Sequence, residues 1–520
     1  MGKRPNVVCF ISDDTDFSLI GAYGSKIKTP NIDSIAEEGV KFENMHCASS
    51  VCTASRYSYL TGQYVGRCED EYFLKSNPAD EPYNVHWNAV VNENMWSLGR
   101  VMSENGYQTG YVGKWHTGWP MKYLPLPELD PDSDPDDPEV DAKLKEFQQV
   151  LVERVKKDGG FQYAASITWD NNEAFPVKKL QHHNLDWMAK GALDFLSNVN
   201  TDEPFILYIA TTTFHGPPHE KSYEQDVSLT QAGRMDLSGT GMPDRKKIHE
   251  RLEKYGLPYN HNTVGMIWMD DLVGVLLNKL KEMGVEDNTI FFWNTDHNTE
   301  PGKGTCYYAG THIPMLMKWP GKIEPKTVCH ARVQNIDFLP TLFDACNIVP
   351  PKEMKLDGKS MLPVLFGREK ELHEELYFEF GWARAVLWKN WKYIALRYPK
   401  TIIEKMKSGE LKEAPNHINI RMQPQMNIAI EHYPGYFDGD ELYNLDEDPE
   451  EKRNLAFNDA YKDIIDIMRK KLKKYTDSFK HPFPIEENDF YRTELFKKLV
   501  EETKKIGTDY IEWWPKAAGI

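Results

Sequence analysis

Three short, largely apolar runs separated by longer helical patterns set the expected architecture of this chain. The runs NVVCFIS (6–12), FILYIATTT (205–213) and TIFFWNT (289–295) each end in polar residues, which is typical of buried strands. Between them, the pattern TPNIDSIAEEGVKF (29–42) and the apolar stripe of residues 264–284 predict helices. Strands that alternate with helices predict an α/β fold with a mostly parallel central sheet between layers of helices. Ligands of such sheets bind beyond the carboxyl ends of the strands.

Two regions depart from this alternation. Residues 121–180 carry a Pro- and Asp-rich stretch at 124–139 followed by a helical pattern, and we interpret the region as a solvated acidic insertion. Towards the C-terminus, LYFEFGWARAVLWKNWKYIALRY (376–398) predicts antiparallel strands. The sequence therefore predicts a main domain over residues 1–370 and a smaller α+β domain, with an antiparallel sheet, over residues 371–520.

Composition and charge narrow the class of protein. Forty per cent hydrophobic and 27% charged residues describe a globular chain, and no apolar run is long enough to span a membrane. The net charge of −17 repels phosphates, so we expect no nucleic-acid partner. The chain shows no signal peptide, which predicts a cytoplasmic protein, or a periplasmic or secreted one if a leader was removed. Its seven scattered cysteines predict buried free thiols or a single disulfide, and the odd number raises the question of a special one.

Acidic pairs follow two of the predicted strands. Asp13 and Asp14 come directly after the first strand, and Asp296 and His297 follow the strand at 289–295. Either pair alone is more typical of a turn or a helix cap than of a metal site. Because the ends of parallel strands meet at one edge of a sheet, the two pairs together favour a site for a hard divalent cation.

Histidines and lysines follow the remaining strands and loops. His215 lies on a Gly-Pro-Pro loop after the second strand and is as typical of a surface loop as of a ligand, whereas we expect His219 to lie at the surface. Lys114 and His116 are two residues apart, so in an extended segment both side chains point to the same side and suit an oxyanion. Lys303 lies on a glycine-containing loop, where a flexible surface lysine is the simpler interpretation.

The stretch SSVCTASRYSYLTG predicts a helix that begins at a cysteine. Ser49 or Ser50 is expected to cap the helix, which places Cys52 in its first turn and Arg56 on the same face. The partial positive charge of a helix N-terminus attracts anions and lowers the pKa of a thiol. A buried inert cysteine remains the alternative, but the small residues at 53–55 and the neighbouring arginine weaken it.

These motifs carry a family resemblance. CTASR (52–56) followed by YLTG, and GYQTGYVGKWHTG (106–118), resemble the two signatures of type I sulfatases, the formylglycine-dependent branch of the alkaline phosphatase superfamily. RPNVVCFISDD, NTDH, KGTCYYAGTHIPMLMKWPG and ELYNLDEDPEEKRNL follow in the family's order, so the resemblance covers nearly the whole chain. It implies an alkaline-phosphatase-like fold and hydrolysis of sulfuric esters.

The resemblance implies a modified nucleophile and one metal ion. A maturase is expected to oxidise Cys52 to formylglycine, whose hydrated aldehyde attacks the sulfur of the substrate. Asp13, Asp14, Asp296 and His297 resemble the ligands of one Ca²⁺ ion, which also contacts residue 52. Many members of the family have Asn at the position of His297, although Asp-His also occurs.

The remaining catalytic roles are implied in the same way. Arg56 and Lys114 resemble residues that orient and stabilise the formylglycine, and Lys114 is also expected to contact the substrate. His116 resembles the residue that holds the hydrated aldehyde and helps to eliminate sulfate. His215 and Lys303 resemble a sulfate-binding pair, one of which protonates the leaving group.

One loop departs from the family's pattern. Where members usually have Glu-Gly-Gly-x-Arg after the second lysine, this chain has Tyr-Ala-Gly-Thr-His, which ends at His312. Because the loop borders the expected site, His312 is a candidate for substrate binding.

The expected substrate is a sulfated sugar within an oligosaccharide or polysaccharide, since such substrates prevail in the family and the 14 Trp and 26 Tyr residues include rings that stack on sugars. Phosphonate monoester or phosphodiester hydrolysis and arylsulfatase activity remain alternatives. A binder of sulfated glycans that keeps Cys52 as a thiol is the non-enzymatic alternative.

Overall fold

Eight strands form the central sheet of the computed structural model, which describes residues 3–299, 301–417 and 424–505. The strands are β1 (Asn6–Ser12), β2 (Val40–Phe42), β3 (Gln108–Lys114), β4 (Tyr163–Thr168), β5 (Phe205–Ala210), β6 (Thr289–Thr295), β7 (Met315–Lys318) and β8 (Thr327–Cys329). Their order in the sheet is β8-β2-β7-β6-β1-β5-β3-β4, and only β7 runs antiparallel to its neighbours. The prediction of a mostly parallel sheet is confirmed, although β5 ends three residues before the predicted run does.

The register of the three central strands fixes the position of the acidic pairs. Ser12 at the end of β1 pairs with Thr295 at the end of β6. Asp13 and Asp296 therefore leave the sheet side by side, at the carboxyl edge. The backbone N–H of Asp13 also donates to the carbonyl of Thr213, 2.6 Å away, which joins the segment after β5 to the same edge.

Helices cover both faces of the sheet. They are α1 (Pro30–Glu37), α2 (Cys52–Thr61), α3 (Glu71–Ser76), α4 (Leu98–Glu104), α5 (Pro138–Gly159), α6 (Leu185–Asn198), α7 (His219–Tyr223), α8 (Lys247–Tyr255), α9 (His261–Glu282), α10 (Tyr308–Thr311), α11 (Phe338–Ala345), α12 (Leu362–Leu365), α13 (Lys400–Ser408), α14 (Pro424–His432) and α15 (Lys462–Thr476). The side chain of Asn260 caps α9 through a capping box with Thr263, which explains why this helix begins three residues before the predicted stripe. Among the described residues, none of these helices is both long and apolar enough to cross a bilayer.

A second, separate sheet follows in the C-terminal part. Strands β9 (Glu375–Phe380), β10 (Ala383–Trp388), β11 (Trp391–Leu396) and β12 (Asp440–Asn444) pair antiparallel in chain order, as the sequence predicts. Helix α15 packs against this sheet. Residues 418–423 and 506–520 of the predicted 371–520 domain lie outside the described residues.

The interpretation of residues 121–180 as a solvated insertion is wrong for their second half. Helix α5 buries Leu144, Phe147 and Leu151, and strand β4 is the edge strand of the central sheet. An acidic loop precedes this helix, as expected, but the segment that follows β4 belongs to the carboxyl edge of the sheet.

All seven cysteines are free and buried. The prediction of free thiols is therefore confirmed, and the alternative of one disulfide is wrong.

The buried carboxyl of Asp270 in α9 is expected to make the unfolding free energy depend on pH. Its Oδ1 accepts a hydrogen bond from the N–H of Ile32 (2.8 Å) and its Oδ2 accepts one from Asn31 (2.9 Å). Burial nevertheless raises the pKa of this carboxyl from 3.8 to about 7. The folded protein holds the proton of Asp270 more tightly than the unfolded chain does. Protonated Asp270 therefore contributes to the unfolding free energy fully below about pH 4, and this contribution is lost as the pH rises to about 7.

Urea unfolding of wild type and Asp270→Asn between pH 4 and pH 8 measures this contribution. We expect the asparagine variant to lose this part of the pH dependence, because the amide does not titrate. Asp287→Asn, at an exposed carboxyl, is the control and should keep the wild-type slope. Equal slopes in wild type and Asp270→Asn would show that Asp270 titrates normally.

Candidate active site

The start of α2 lies at the carboxyl edge of the sheet, but no serine caps it. Val51 occupies the N-cap position and no side chain caps the helix, so the expectation for Ser49 or Ser50 is wrong. The Ser50 hydroxyl instead donates to the carbonyl of Thr305 (2.6 Å) and accepts from its N–H (2.9 Å). These bonds fasten the start of the helix to the loop that carries Lys303.

Cys52 lies buried between the two acidic pairs. Its Sγ is 3.4 Å from Oδ1 of Asp13 and 3.2 Å from Nε2 of His297. Burial and the negative charge of Asp13 raise the pKa of the thiol well above its ordinary value. The expectation of a lowered pKa is therefore wrong, because desolvation outweighs the helix N-terminus. The raised pKa keeps the unmodified thiol of Cys52 protonated at neutral pH.

Four side chains converge on one point beside this thiol. Ligand atoms of Asp13, Cys52, Asp296 and His297 all lie within 4.8 Å of one another, and all four residues are buried. The Nδ1–H of His297 donates to the carbonyl of Asn298 (2.8 Å), which leaves Nε2 as the acceptor that faces Cys52. This donor set resembles a metal site whose histidine is oriented by a second hydrogen bond.

Asp14 lies on the Nδ1 side of His297, outside this group of four. It adopts a left-handed backbone conformation (φ 52°), and its Oδ1 lies 3.1 Å from Nδ1 of His297. This oxygen is buried and has no hydrogen-bond partner of its own. The carboxylates of Asp13 and Asp296 in the group, with the unpartnered oxygen of Asp14 beside it, are oxygen ligands of the kind that a hard divalent cation such as Ca²⁺ prefers.

Buried cations balance part of this negative charge. The Nε–H of Arg56 donates to Oδ2 of Asp296 (3.0 Å), and the Lys114 ammonium contacts Oδ2 of Asp13. Lys303 donates to Oδ2 of Asp14 (2.5 Å). Burial alone would raise the pKa of Asp13, but the charges of Lys114 and Arg56 hold it well below its ordinary value. Asp13 is therefore ionised, as a metal ligand must be.

His116 lies at the rim of this cluster, just beyond β3. Its Nε2 is 3.0 Å from Oδ1 of Asp170, while its Nδ1 is buried and has no hydrogen-bond partner. Burial and the positive charge of Lys114 lower the pKa of His116 to about 4, so the imidazole is neutral at neutral pH. The chain turns at His116 (φ 50°), so the segment is not regularly extended as the spacing implied.

Asn171 links the two sides of the site and was missed by sequence reasoning. Its Oδ1 accepts from Lys114 (2.5 Å), and its Nδ2 is 3.1 Å from Nε2 of His215. Asp170, Asn171 and Glu173 all belong to the segment WDNNE after β4. The only signal for them was that this segment, like those after β1 and β6, follows a strand with a run of polar residues.

The loop that carries His215 packs against other histidines. His219, expected at the surface, is buried and stacks on His183 with 4.4 Å between the ring centroids. The Nε2 of His183 lies 3.0 Å from the carbonyls of both His215 and Pro217. The expectation for His219 is wrong because the loop folds back onto α9, where His261 contacts it (2.9 Å between the Nδ1 atoms).

The side chain of His312 contacts residues outside the group formed by Asp13, Cys52, Asp296 and His297. Its ring nitrogen donates to the carbonyl of Glu43 (2.7 Å), and its ring centroid lies 4.6 Å from that of Phe17 and 4.7 Å from that of Tyr308. Its backbone carbonyl accepts from the side chain of Asn298 (3.2 Å), the residue after His297. His312 thus lies beside the loop that carries His297, in an aromatic group, and its contact with a substrate stays a prediction.

Comparison with known proteins decides the family. A sequence model described as Sulfatase matches residues 5–348. The chain belongs to the sulfatase family. As a sulfatase it is a sulfuric ester hydrolase, and the resemblance read from its motifs is confirmed.

Several relatives of this sulfatase align over most of their length. It is 24% identical over 526 residues to the N-acetylgalactosamine-6-O-sulfatase of Bacteroides thetaiotaomicron, with 87% of this chain and 90% of the relative covered. It is 25% identical to the ulvan-active sulfatase of Formosa agariphila (89% and 78% covered) and 25% identical to human arylsulfatase G (75% and 76% covered).

Solved structures show the same fold. The structure of BT4656 in complex with its substrate D-glucosamine-2-N,6-O-disulfate matches the sulfatase with a TM-score of 0.61 at 17% identity, over 94% of this chain and 100% of that one. Ps i-CgsB in complex with k-i-k-neocarrahexaose matches with a TM-score of 0.56 at 19% identity, over 93% and 94% of the two chains. The large mixed sheet between helices and the small four-stranded antiparallel sheet are therefore those of sulfatases.

Proposed function

We propose that this sulfatase removes sulfate from a sulfated carbohydrate, using a formylglycine derived from Cys52 and one bound Ca²⁺ ion. The observation that carries the proposal is the environment of residue 52. Its Sγ contacts both Asp13 and His297, in a cluster whose ligand atoms lie within 4.8 Å of one another. A pure binder of sulfated glycans has no need of a buried thiol at the centre of such a cluster.

Formylglycine and Ca²⁺ both fit the residues that surround residue 52. Asp13, Asp14, Asp296 and His297 would hold Ca²⁺, which supplies positive charge to the oxygens of residue 52 and of the sulfate. Formylglycine, made by a maturase, supplies as its hydrated aldehyde the nucleophile that a protonated thiol does not. The raised pKa of Cys52 supports formylglycine as the nucleophile, since a protonated thiol is a poor one.

The remaining residues bind sulfate and move protons. Lys114 is wholly buried and Lys303 is 6% exposed, so their charges act on a sulfate with little screening by water. His116, whose buried Nδ1 has no partner, is placed to accept a proton. His215 is 24% exposed, against 6% for Lys303, and a leaving alcohol must reach solvent, which supports the assignment of leaving-group protonation to His215 rather than to Lys303.

The carbohydrate substrate is supported by the relatives. Two of them are an N-acetylgalactosamine-6-O-sulfatase and an ulvan-active sulfatase, and two matching structures hold D-glucosamine-2-N,6-O-disulfate and k-i-k-neocarrahexaose. On that support we propose a sulfated sugar as the substrate of this chain. The partly exposed rings of Phe17, Tyr308 and His312, beside the loop that carries His297, are of the kind that stack on sugars.

Competing esters of one leaving group test the reaction. We expect the matured sulfatase to hydrolyse an aryl sulfate faster, in kcat/KM, than the phosphodiester of the same aryl alcohol. A sulfate monoester offers three non-bridging oxygens to the buried cations, whereas a phosphodiester offers two and carries a second ester group that the site would have to accommodate. Protein produced without a maturase is the control and should be inactive on both. A faster reaction with the phosphodiester would favour a phosphodiester hydrolase and contradict the proposal.

Calcium binding is expected to stabilise the fold. A ligand that binds only the folded state at 100 times its Kd adds about 2.7 kcal/mol to the unfolding free energy. We expect the Tm of chelator-treated sulfatase to rise on addition of Ca²⁺, and Asp14→Asn to lose most of that rise. Asp134→Asn, at an exposed loop carboxyl, should keep it. An identical Tm with and without Ca²⁺ in the wild type would contradict a calcium site.

A further inference from the structure

One short segment contacts three histidines at the candidate site, His116, His183 and His215. Residues 170–173 follow β4, the edge strand of the central sheet. Asp170 meets His116, Asn171 joins Lys114 to His215, Asn172 meets His183 (2.9 Å), and Oε2 of Glu173 lies 3.7 Å from Nδ1 of His215. No role is implied for any of these four residues by the sulfatase motifs. Their placement nevertheless determines which ring nitrogens carry protons.

The tautomer of His116 follows from the chemistry of its partner. Oδ1 of Asp170 lies 3.0 Å from Nε2, and a carboxylate at neutral pH only accepts hydrogen bonds. Nε2 must therefore carry the ring proton. The imidazole is neutral, so Nδ1 is the unprotonated nitrogen. That atom is buried and has no hydrogen-bond partner, which leaves its lone pair available to a reacting group.

The tautomer of His215 follows from Asn171 and is the opposite one. The ammonium of Lys114 only donates, so the atom of Asn171 that faces it must be the amide oxygen. The amide nitrogen then faces Nε2 of His215 at 3.1 Å and donates to it. Nε2 is therefore the acceptor and Nδ1 carries the proton, on the side where the carboxylate of Glu173 lies.

We propose that Asp170 is the positioning residue of His116, which it holds with Nδ1 as the proton acceptor during sulfate ester hydrolysis, while Asn171 imposes the opposite tautomer on His215. The catalytic role of Nδ1 as proton acceptor rests on the proposed function. The two tautomers rest on the contacts alone. A carboxylate that orients an imidazole keeps it in the tautomer that can take a proton, and it stabilises the imidazolium that forms. One segment thus gives two histidines different roles.

The tautomers are measured directly by NMR. Long-range ¹H–¹⁵N spectra of ¹⁵N-histidine-labelled protein distinguish Nε2-protonated from Nδ1-protonated rings, and His116→Gln identifies the signals of His116. We expect the Nε2-protonated form in the wild type and a shift towards the Nδ1-protonated form in Asp170→Asn, since the amide group introduced by that substitution can donate to Nε2. A wild-type His116 that is protonated on Nδ1 would overturn the proposal. This measurement uses unmatured protein, and its wild-type part needs no variant of Asp170.

Steady-state kinetics of the matured enzyme supply the second measurement. General-base catalysis is worth 10² to 10⁴-fold, so we expect Asp170→Asn to lower kcat by at least about 10²-fold and to change KM by less than about threefold. Asp132→Asn, a carboxylate of the preceding acidic loop that is 77% exposed, is the matched control and should keep wild-type kcat. A kcat of Asp170→Asn within about twofold of wild type would overturn the positioning role. A wild type that releases no sulfate would instead contradict the proposed function and leave the NMR result standing.

Discussion

Cys52→Ala is expected to abolish sulfate release, with kcat/KM at least about 10⁴-fold below that of the matured wild type. Where a nucleophile acts as a unit with its catalytic partners, its removal lowers the rate by this factor or more. Alanine has no sulfur for a maturase to oxidise, so the nucleophile cannot form. The fold should survive, because Cys52 is a small buried side chain and its replacement leaves all three carboxylates and their cations in place.

A second buried cysteine provides the control for this prediction. Cys346 is also a free, buried thiol, but it follows α11 and contacts Tyr107 rather than the carboxylate cluster. Cys346→Ala should lose stability through its small cavity and keep kcat/KM within about threefold. Release of sulfate by Cys52→Ala at more than about a hundredth of the wild-type rate would show that the nucleophile lies elsewhere.

Arg56→Ala is expected to lower the unfolding free energy by about 3–5 kcal/mol, because it leaves the buried carboxylate of Asp296 without its arginine partner. The guanidinium is 1% exposed, and its terminal nitrogen lies 3.0 Å from Oδ2 of Asp296 and 3.8 Å from Oδ2 of Asp13. It also donates to the carbonyls of Lys114 (3.3 Å) and Thr211 (3.4 Å), which joins α2 to β3 and to the segment after β5. Arg56→Lys should recover only part of the loss, since an ammonium cannot reach all these acceptors.

Urea unfolding at fixed calcium concentration measures this effect. Arg234→Ala is the matched control, because Arg234 pairs with Asp136 and Asp226 at an exposed site and its loss should cost no more than about 1 kcal/mol. We expect a separation of several kcal/mol between the two variants. Equal unfolding midpoints for Arg56→Ala and Arg234→Ala would show that the buried ion pairs contribute no net stability.

The parts of the fold and site that the sequence predicted depend on local pattern. Strand ends are visible as apolar runs that stop at polar residues, so Asp13 and Asp296 were placed correctly at the carboxyl edge. Their convergence follows from parallel pairing, which the alternation of strands and helices already implied. The membership in the sulfatase family was equally predictable, because the motif around Cys52 is specific in its context.

The parts that the sequence did not predict depend on packing and on the order of strands. Asp170 and Asn171 reach the site only because β4 pairs with β3, and strand order is not encoded within either strand. His219 is buried because its loop packs against α9, so a polar residue after two prolines gave the wrong expectation. The pKa of Cys52 depends on how completely the surrounding elements exclude water, which no helix pattern specifies.

The mass of the tryptic or chymotryptic peptide that contains residue 52, from protein produced together with a formylglycine-generating maturase, tests the central claim most directly. Replacement of the thiol by an aldehyde exchanges one sulfur and two hydrogens for one oxygen, so the account predicts a peptide about 18 Da lighter than the cysteine form, on the oxidation chemistry of cysteine. The same preparation should release sulfate from a sulfated saccharide. A peptide that keeps the full cysteine mass in a preparation that is nevertheless active would contradict the account.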